Sequence, residues 1–237
     1  MSNSPDGSGL TRVQSYALVV AAAVLLSAIL APVAYDRATA PDGTVAVVSV
    51  EGFISSNSVS SVQEDLREAR ENESIDAVVL NVDSPGGSAA ASEQLYLSVQ
   101  RTAQEMPVVA SVKSTGASGA YYAMLPAREI YVTPASIVGS VGVRGGAPGP
   151  SLPGEIKSGP DKASATADQR RAQIETLQRA FVGSVMKHRS DDLELSRTEV
   201  AHAKVYTGAR AVDNGMADRV GSRLQGHITD PCRTARS

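Results

Sequence analysis

An α/β fold built on a parallel sheet, preceded by one N-terminal transmembrane helix, is what the sequence predicts. Three observations carry that expectation. Two consecutive segments read as strand, glycine-rich turn and helix, over Ile75–Arg101 and Pro107–Leu125. Tryptophan is absent and aromatics make up 4% of the chain, so the core must be aliphatic, as a Val/Ala-rich parallel sheet allows. Finally, Ser15–Ala34 holds no charged residue and is long enough to cross about 30 Å of hydrocarbon as a helix.

Taken in order, residues 1–12 form a polar tail and 13–35 the membrane anchor. The rival reading is a cleavable signal peptide, because Ala38-Thr39-Ala40 resembles a small-residue cleavage site. The anchor is preferred: the apolar run exceeds a usual signal core, Arg12 alone is basic ahead of it, and Pro41 follows the cleavage point. A linker spans 36–43, a single domain 44–224 and a tail 225–237. Ser58–Arg70, with apolar Val62, Leu66 and Ala69, reads as a helix between the first two strands. Ile75–Val82 is a buried strand, Asp83–Ser88 a turn and Ala89–Arg101 a helix. In that turn Pro85 fixes φ, while Gly86 and Gly87 let backbone come close to a ligand. Pro107–Val112 is a second buried strand, and Tyr121–Leu125 begins the helix after it. Glu129–Val132 is a further strand, 139–143 a turn and 155–162 a polar loop. Asp168–His188 is a helix whose Ile174, Leu177, Phe181 and Val185 share one face, read as core packing in preference to an oligomer contact. Thr198–Ala203 and Gly208–Asn214 are short helices.

Chemistry concentrates at Thr115-Gly116-Ala117-Ser118-Gly119-Ala120. A serine at a tight turn from strand to helix exposes its hydroxyl and aims unbonded N–H groups beside it, the arrangement a nucleophile needs. Two such turns at one edge of a parallel sheet can supply a nucleophile and an oxyanion donor. A base is then required. His188, His202 and His227 lie far downstream in helical or tail sequence. Of the lysines, Lys157 and Lys162 share the polar loop that follows the 139–143 turn. A lysine accepts a proton only when its surroundings lower its pKa, so a solvated loop lysine is the competing reading. Cys232 stands alone in the tail and can form no internal disulfide. With a net charge of −3 and no basic cluster, nothing favours nucleic acid, and no cofactor or metal is expected.

From about Val45 to Val220 the chain resembles the signal peptide peptidase A family, membrane-anchored Ser/Lys peptidases on a Clp protease/crotonase-like fold of stacked ββα units. The resemblance rests on six segments in family order: 45–52, Val-Asp-Ser-Pro-Gly-Gly (82–87), Gly-Ala-Ser-Gly-Ala-Tyr-Tyr (116–122), Gly-Ser-Val-Gly-Val (139–143), Lys-Ser-Gly-Pro-Asp-Lys (157–162) and 205–218. It implies Ser118 as nucleophile, Lys162 as general base, an oxyanion hole at Gly86 and Gly119, and Ser140 orienting the lysine amine. It also implies hydrophobic peptide substrates such as remnant signal peptides, a homo-oligomeric ring, and a single-pass membrane location with the domain on the extracytoplasmic side. Two features depart from the family. Ala120 stands where a second glycine is usual, and the Gly/Pro-rich stretch between Val143 and Lys157 opposes the family's helix and strand. A catalytically silent crotonase-like scaffold and an acyl-CoA enzyme remain the alternatives.

Overall fold

The computed structural model describes residues 43–145 and 166–221. The anchor at 13–35, the linker through Asp42, the tail beyond Gly221 and the 146–165 segment with both loop lysines lie outside the described residues. Among the described residues no helix is long and apolar enough to cross a membrane.

The first seven elements alternate: β1 (Thr44–Ile54), α1 (Ser56–Glu71), β2 (Ile75–Gly87), α2 (Ala89–Glu105), β3 (Val108–Ala117), α3 (Gly119–Met124) and β4 (Glu129–Val132). The remainder comprises β5 (Ile137–Gly139), α4 (Ala167–Arg189), α5 (Arg197–Ala201), β6 (Val205–Thr207), α6 (Gly208–Asp213) and β7 (Arg219–Val220). One sheet runs β1-β2-β3-β4-β7 with every neighbour parallel. β5 adds alongside the second half of β3, and β6 pairs antiparallel to β5. Parallel strands joined in sequence in one direction across the sheet place α1, α2 and α3 on one face, as the right-handed crossover rule requires.

Side-chain alternation sorts that face. Val48, Val50, Val78, Leu80, Val82, Val108, Ala110, Val112, Ile130 and Val132, all even-numbered, join one core with Leu66, Leu95 and Val99 of the helices. Truncating a side chain such as Leu66 to alanine costs about 2–5 kcal/mol in such a core. The helix ends are set by sequence: Ser55 and Ser58 form a reciprocal capping box on α1, and Ser88 caps α2.

The strands run further than the hydrophobic runs suggest. β2 continues through Pro85 to Gly87 because Phe53 and Ile54 of β1 pair with Gly86 and Gly87. β3 continues to Ala117 because β5 takes over its free side at Thr115. Ladder hydrogen bonds, not apolar side chains, extend both strands to the site.

The predicted stripe of the long helix divides in two. Phe181 and Val185 are buried, whereas Leu177 is 37% exposed. The C-terminal end of α4 is anchored by Arg189, itself only 4% exposed. Its guanidinium donates to both Asp218 oxygens at 2.9 Å and to the Gly215 carbonyl at 3.0 Å, while Asp218 Oδ2 also accepts the Ile130 N–H at 2.7 Å. Removing one partner of such a buried pair costs about 3–5 kcal/mol, so this pair sets where α4 sits over β4.

Candidate active site

Ser118 occupies the junction between β3 and α3 with φ 53° and ψ −124°. That region is unfavourable for a residue with a side chain, costing about 1–3 kcal/mol, so surrounding structure must hold it. Two backbone bonds do so: Ser118 N–H donates to Gly139 O at 2.8 Å, and Ser118 O accepts Tyr122 N–H at 2.9 Å. The hydroxyl bonds to no other described residue. It opens into a cleft of about 730 Å³ together with Gly86, Gly119, Ser140, Tyr122 and Phe181.

The expected residues therefore meet, apart from Lys162, which lies outside the described residues. Ser140 (φ 55°) and Ala203 (φ 54°) also line the cleft. With Ser118, they are the only non-glycine residues of positive φ among the described residues. Ser140 N–H is tied to Lys204 O at 2.8 Å, so the β5–β6 pair supports both serines. Ala120 is buried within α3, which accommodates its methyl group.

The glycine turn packs directly on Ser118. At Gly86 (φ 97°) a Cβ would lie 2.6 Å from Gly119 N and 2.9 Å from Ser118 Cβ. Gly86 N–H is not free, since it donates to Ser84 Oγ at 3.1 Å. Ser88 N–H donates to Ile54 O at 2.9 Å. In a parallel ladder the preceding N–H, that of Gly87, then points to the other side of β2, where Gly119 lies. Gly86 N–H is thus already engaged, while the Gly87 nitrogen lies on the Gly119 side of the turn. Gly119 N–H opens α3 and has no acceptor within that helix. A Cβ at Gly87 would stand 2.0 Å from Ile54 O and one at Gly119 2.0 Å from Ser92 Oγ. Gly87→Ala should accordingly push β1 from the site, costing about 3 kcal/mol by overpacking and about 6–12 °C in Tm. Thermal melting checks this, and an unshifted Tm would contradict the packing described.

The cleft wall is apolar and aromatic, a feature the sequence reading missed. Phe53 is 66% exposed at the mouth, followed inward by Leu177 and Phe181. Tyr122 stacks on Tyr96 at 4.7 Å and meets Phe181 edge-on at 5.0 Å. Its hydroxyl donates to Glu93 Oε2 at 2.5 Å. Burial first, then the Glu93 carboxylate, raises the Tyr122 phenol well above its ordinary range, so it stays a neutral donor. Tyr96 OH lies 2.8 Å from His188 Nε2. Burial, reinforced by Lys187 and Arg189, lowers the His188 pKa and favours its neutral ring. His188 thus serves the aromatic cluster. No histidine or lysine among the described residues lines the cleft, and Lys113 is paired with Glu51 at 3.1 Å. No group of described residues could hold a metal ion.

Comparison with known proteins points the same way. Residues 100–148, which include Ser118 and Ser140, match the model of peptidase family S49. A Synechocystis protein named as a protease is 29% identical over 196 residues, covering 75% of this chain and 70% of that one. A Methanocaldococcus jannaschii protein, also named as a protease, is 34% identical over 176 residues, covering 66% of this chain and 56% of that one. Protease 4 of Haemophilus influenzae is 30% identical over 207 residues, and the chain spans only 33% of its length. Among solved structures, a serine-to-alanine mutant of the 1510-N membrane-bound stomatin-specific protease shares the fold, with TM-score 0.57 at 20% identity over 76% of this chain and 80% of that one.

Proposed function

We infer that this chain is a member of peptidase family S49 and a serine peptidase, and propose that Ser118 and Lys162 form its catalytic dyad. One observation carries the reading. A strained serine, its hydroxyl unbonded among the described residues, faces a cleft with N–H donors beside it and no histidine or lysine among the described lining residues. The base must then be brought in from elsewhere. The 146–165 segment follows Gly145 and the cleft residues Val143 and Arg144, and it contains Lys157 and Lys162.

In the proposed reaction Ser118 Oγ attacks the substrate carbonyl carbon and its proton passes to the neutral Lys162 amine. The oxyanion is met by the N–H groups of Gly87 and Gly119, donors fixed before charge develops. Collapse expels the amine product, which takes the proton back from the lysine. Water, deprotonated by the same amine, then attacks the acyl carbon; the bond to Ser118 Oγ breaks, and Oγ takes the proton from the lysine. Ser140 would orient the lysine lone pair. This needs a lysine pKa well below the usual value of about 10.4, which burial of the amine against the apolar part of the wall, away from Glu93, would supply.

The apolar wall suits hydrophobic peptides, remnant signal peptides among them, and the Clp protease/crotonase-like arrangement is the fold we assign. Residues 13–35 would anchor the chain in the cell membrane with the domain outside the cytoplasm. We further propose a homo-oligomeric ring, in which a neighbour could contribute the lysine in trans. Specific activity of the detergent-solubilised chain should then fall on dilution, and a monomer retaining full activity at nanomolar concentration would refute the ring. The acyl-CoA and silent-scaffold readings leave the backbone strain at Ser118 without a role. A fluorophosphonate probe tests the central proposal: its adduct should map to Ser118, and a reagent that leaves Ser118 unmodified counts against the nucleophile.

A further inference from the structure

Glu93 stands one residue beyond the buried Ser92 on α2 and lines the same cleft as Ser118. Its position is fixed: Oε2 accepts the Tyr122 hydroxyl at 2.5 Å, and Tyr122 is clamped between Tyr96 and Phe181. Tyr122 is also one helical turn from the nucleophile, through the Tyr122 N–H to Ser118 O bond of 2.9 Å. Glu93 Oε1 has no partner among the described residues. The carboxylate is thus a preset acceptor in the same cleft as the Ser118 hydroxyl, in a wall otherwise built mainly from Phe53, Tyr122, Leu177, Phe181 and small residues. Among the described lining residues it is the only acid, and the one basic side chain is Arg144.

We propose that Glu93 is a specificity residue, selecting peptides that carry a lysine or arginine side chain at one subsite beside the scissile bond, within an otherwise apolar substrate. The proposal rests on the peptidase reading above. An aliphatic stem would lie along the tyrosine and phenylalanine faces while its cationic head reaches Glu93 Oε1, as long basic side chains do elsewhere. Glu93 is solvent-exposed, so the selection is modest and weakens with salt.

The alternative is that Glu93 only anchors Tyr122. Glu93→Gln separates the two, because an amide oxygen can still accept the tyrosine proton but carries no charge. A set of apolar peptides is prepared with lysine, norleucine or glutamate at each position in turn. In wild type, kcat/KM at one position should favour lysine over norleucine about five- to tenfold at low salt. The ratio should fall toward one in Glu93→Gln and in 0.5 M salt, mainly through KM. An equal ratio at every position in wild type, or a preference that survives Glu93→Gln, overturns the proposal. Binding of the same peptides to Ser118→Ala, followed by fluorescence anisotropy, separates this idea from the peptidase reading. Lysine-selective binding without turnover by wild type would sink the peptidase reading and keep the subsite. Unselective binding, or none, sinks the subsite whatever the turnover.

Discussion

Ser118→Ala is expected to lower peptide hydrolysis by at least about a thousandfold while leaving Tm almost unchanged. The activity loss follows from the proposed role, since without Oγ no acyl-enzyme can form and the paired N–H groups stabilise only uncatalysed attack by water. The small stability change follows from the structure. The side chain caps nothing and bonds to no other described residue, and the bonds to Gly139 and Tyr122 are made by backbone that alanine retains. Alanine also inherits the same unfavourable φ, so no strain is released. Hydrolysis rates measured beside thermal melts decide it; activity within tenfold of wild type would remove Ser118 as nucleophile.

The second large effect concerns the lysines. Lys162→Ala and Lys162→Arg should be equally inactive, because a guanidinium keeps the charge yet cannot give up its proton to become a base. Lys157→Ala should retain activity within a few-fold, as it lies outside the matched catalytic position. Acylation in wild type should fall as pH is lowered, in a single titration, since only the neutral amine accepts the serine proton. Single-turnover acylation rates for the three variants provide the measurement. An inactive Lys157→Ala beside an active Lys162→Ala would move the base to Lys157, and activity in both would end the lysine mechanism.

Much of this site is legible in the sequence because it is built from local chemistry. Gly-Ala-Ser-Gly after a β-branched run leaves few conformations other than the strand-to-helix turn that Ser118 adopts. Asp83–Gly87 declares close backbone approach in the same way. What the sequence conceals is non-local. Ile137–Gly139 is too short to announce a strand, and it becomes one because Thr115–Ala117 and Val205–Thr207 pair with it from distant points in the chain. The sequence does not distinguish the two adjacent glycines, whereas the structure shows Gly86 N–H bound to Ser84 and the Gly87 nitrogen beside Gly119. Likewise Glu93 looks like a solvated helix residue until Tyr122 is seen to reach it across 29 positions. One clue was available: Tyr121-Tyr122 in a chain so poor in aromatics suggests a purpose beyond filling space.

The three strained residues at the cleft bear on how this chain can change over generations. Serine at 118 and 140 and alanine at 203 occupy backbone conformations that glycine would adopt at lower cost. At about 1–3 kcal/mol each, their combined burden is comparable with much of the 5–15 kcal/mol that separates a typical domain from its unfolded state. At 118 and 140, mutational drift judged on stability alone would favour glycine, so a descendant relieved of its catalytic duty has an easy route to a sturdier, inert fold. Under the roles proposed for Ser118 and Ser140, keeping two hydroxyls on such unfavourable backbone calls for selection on what they do.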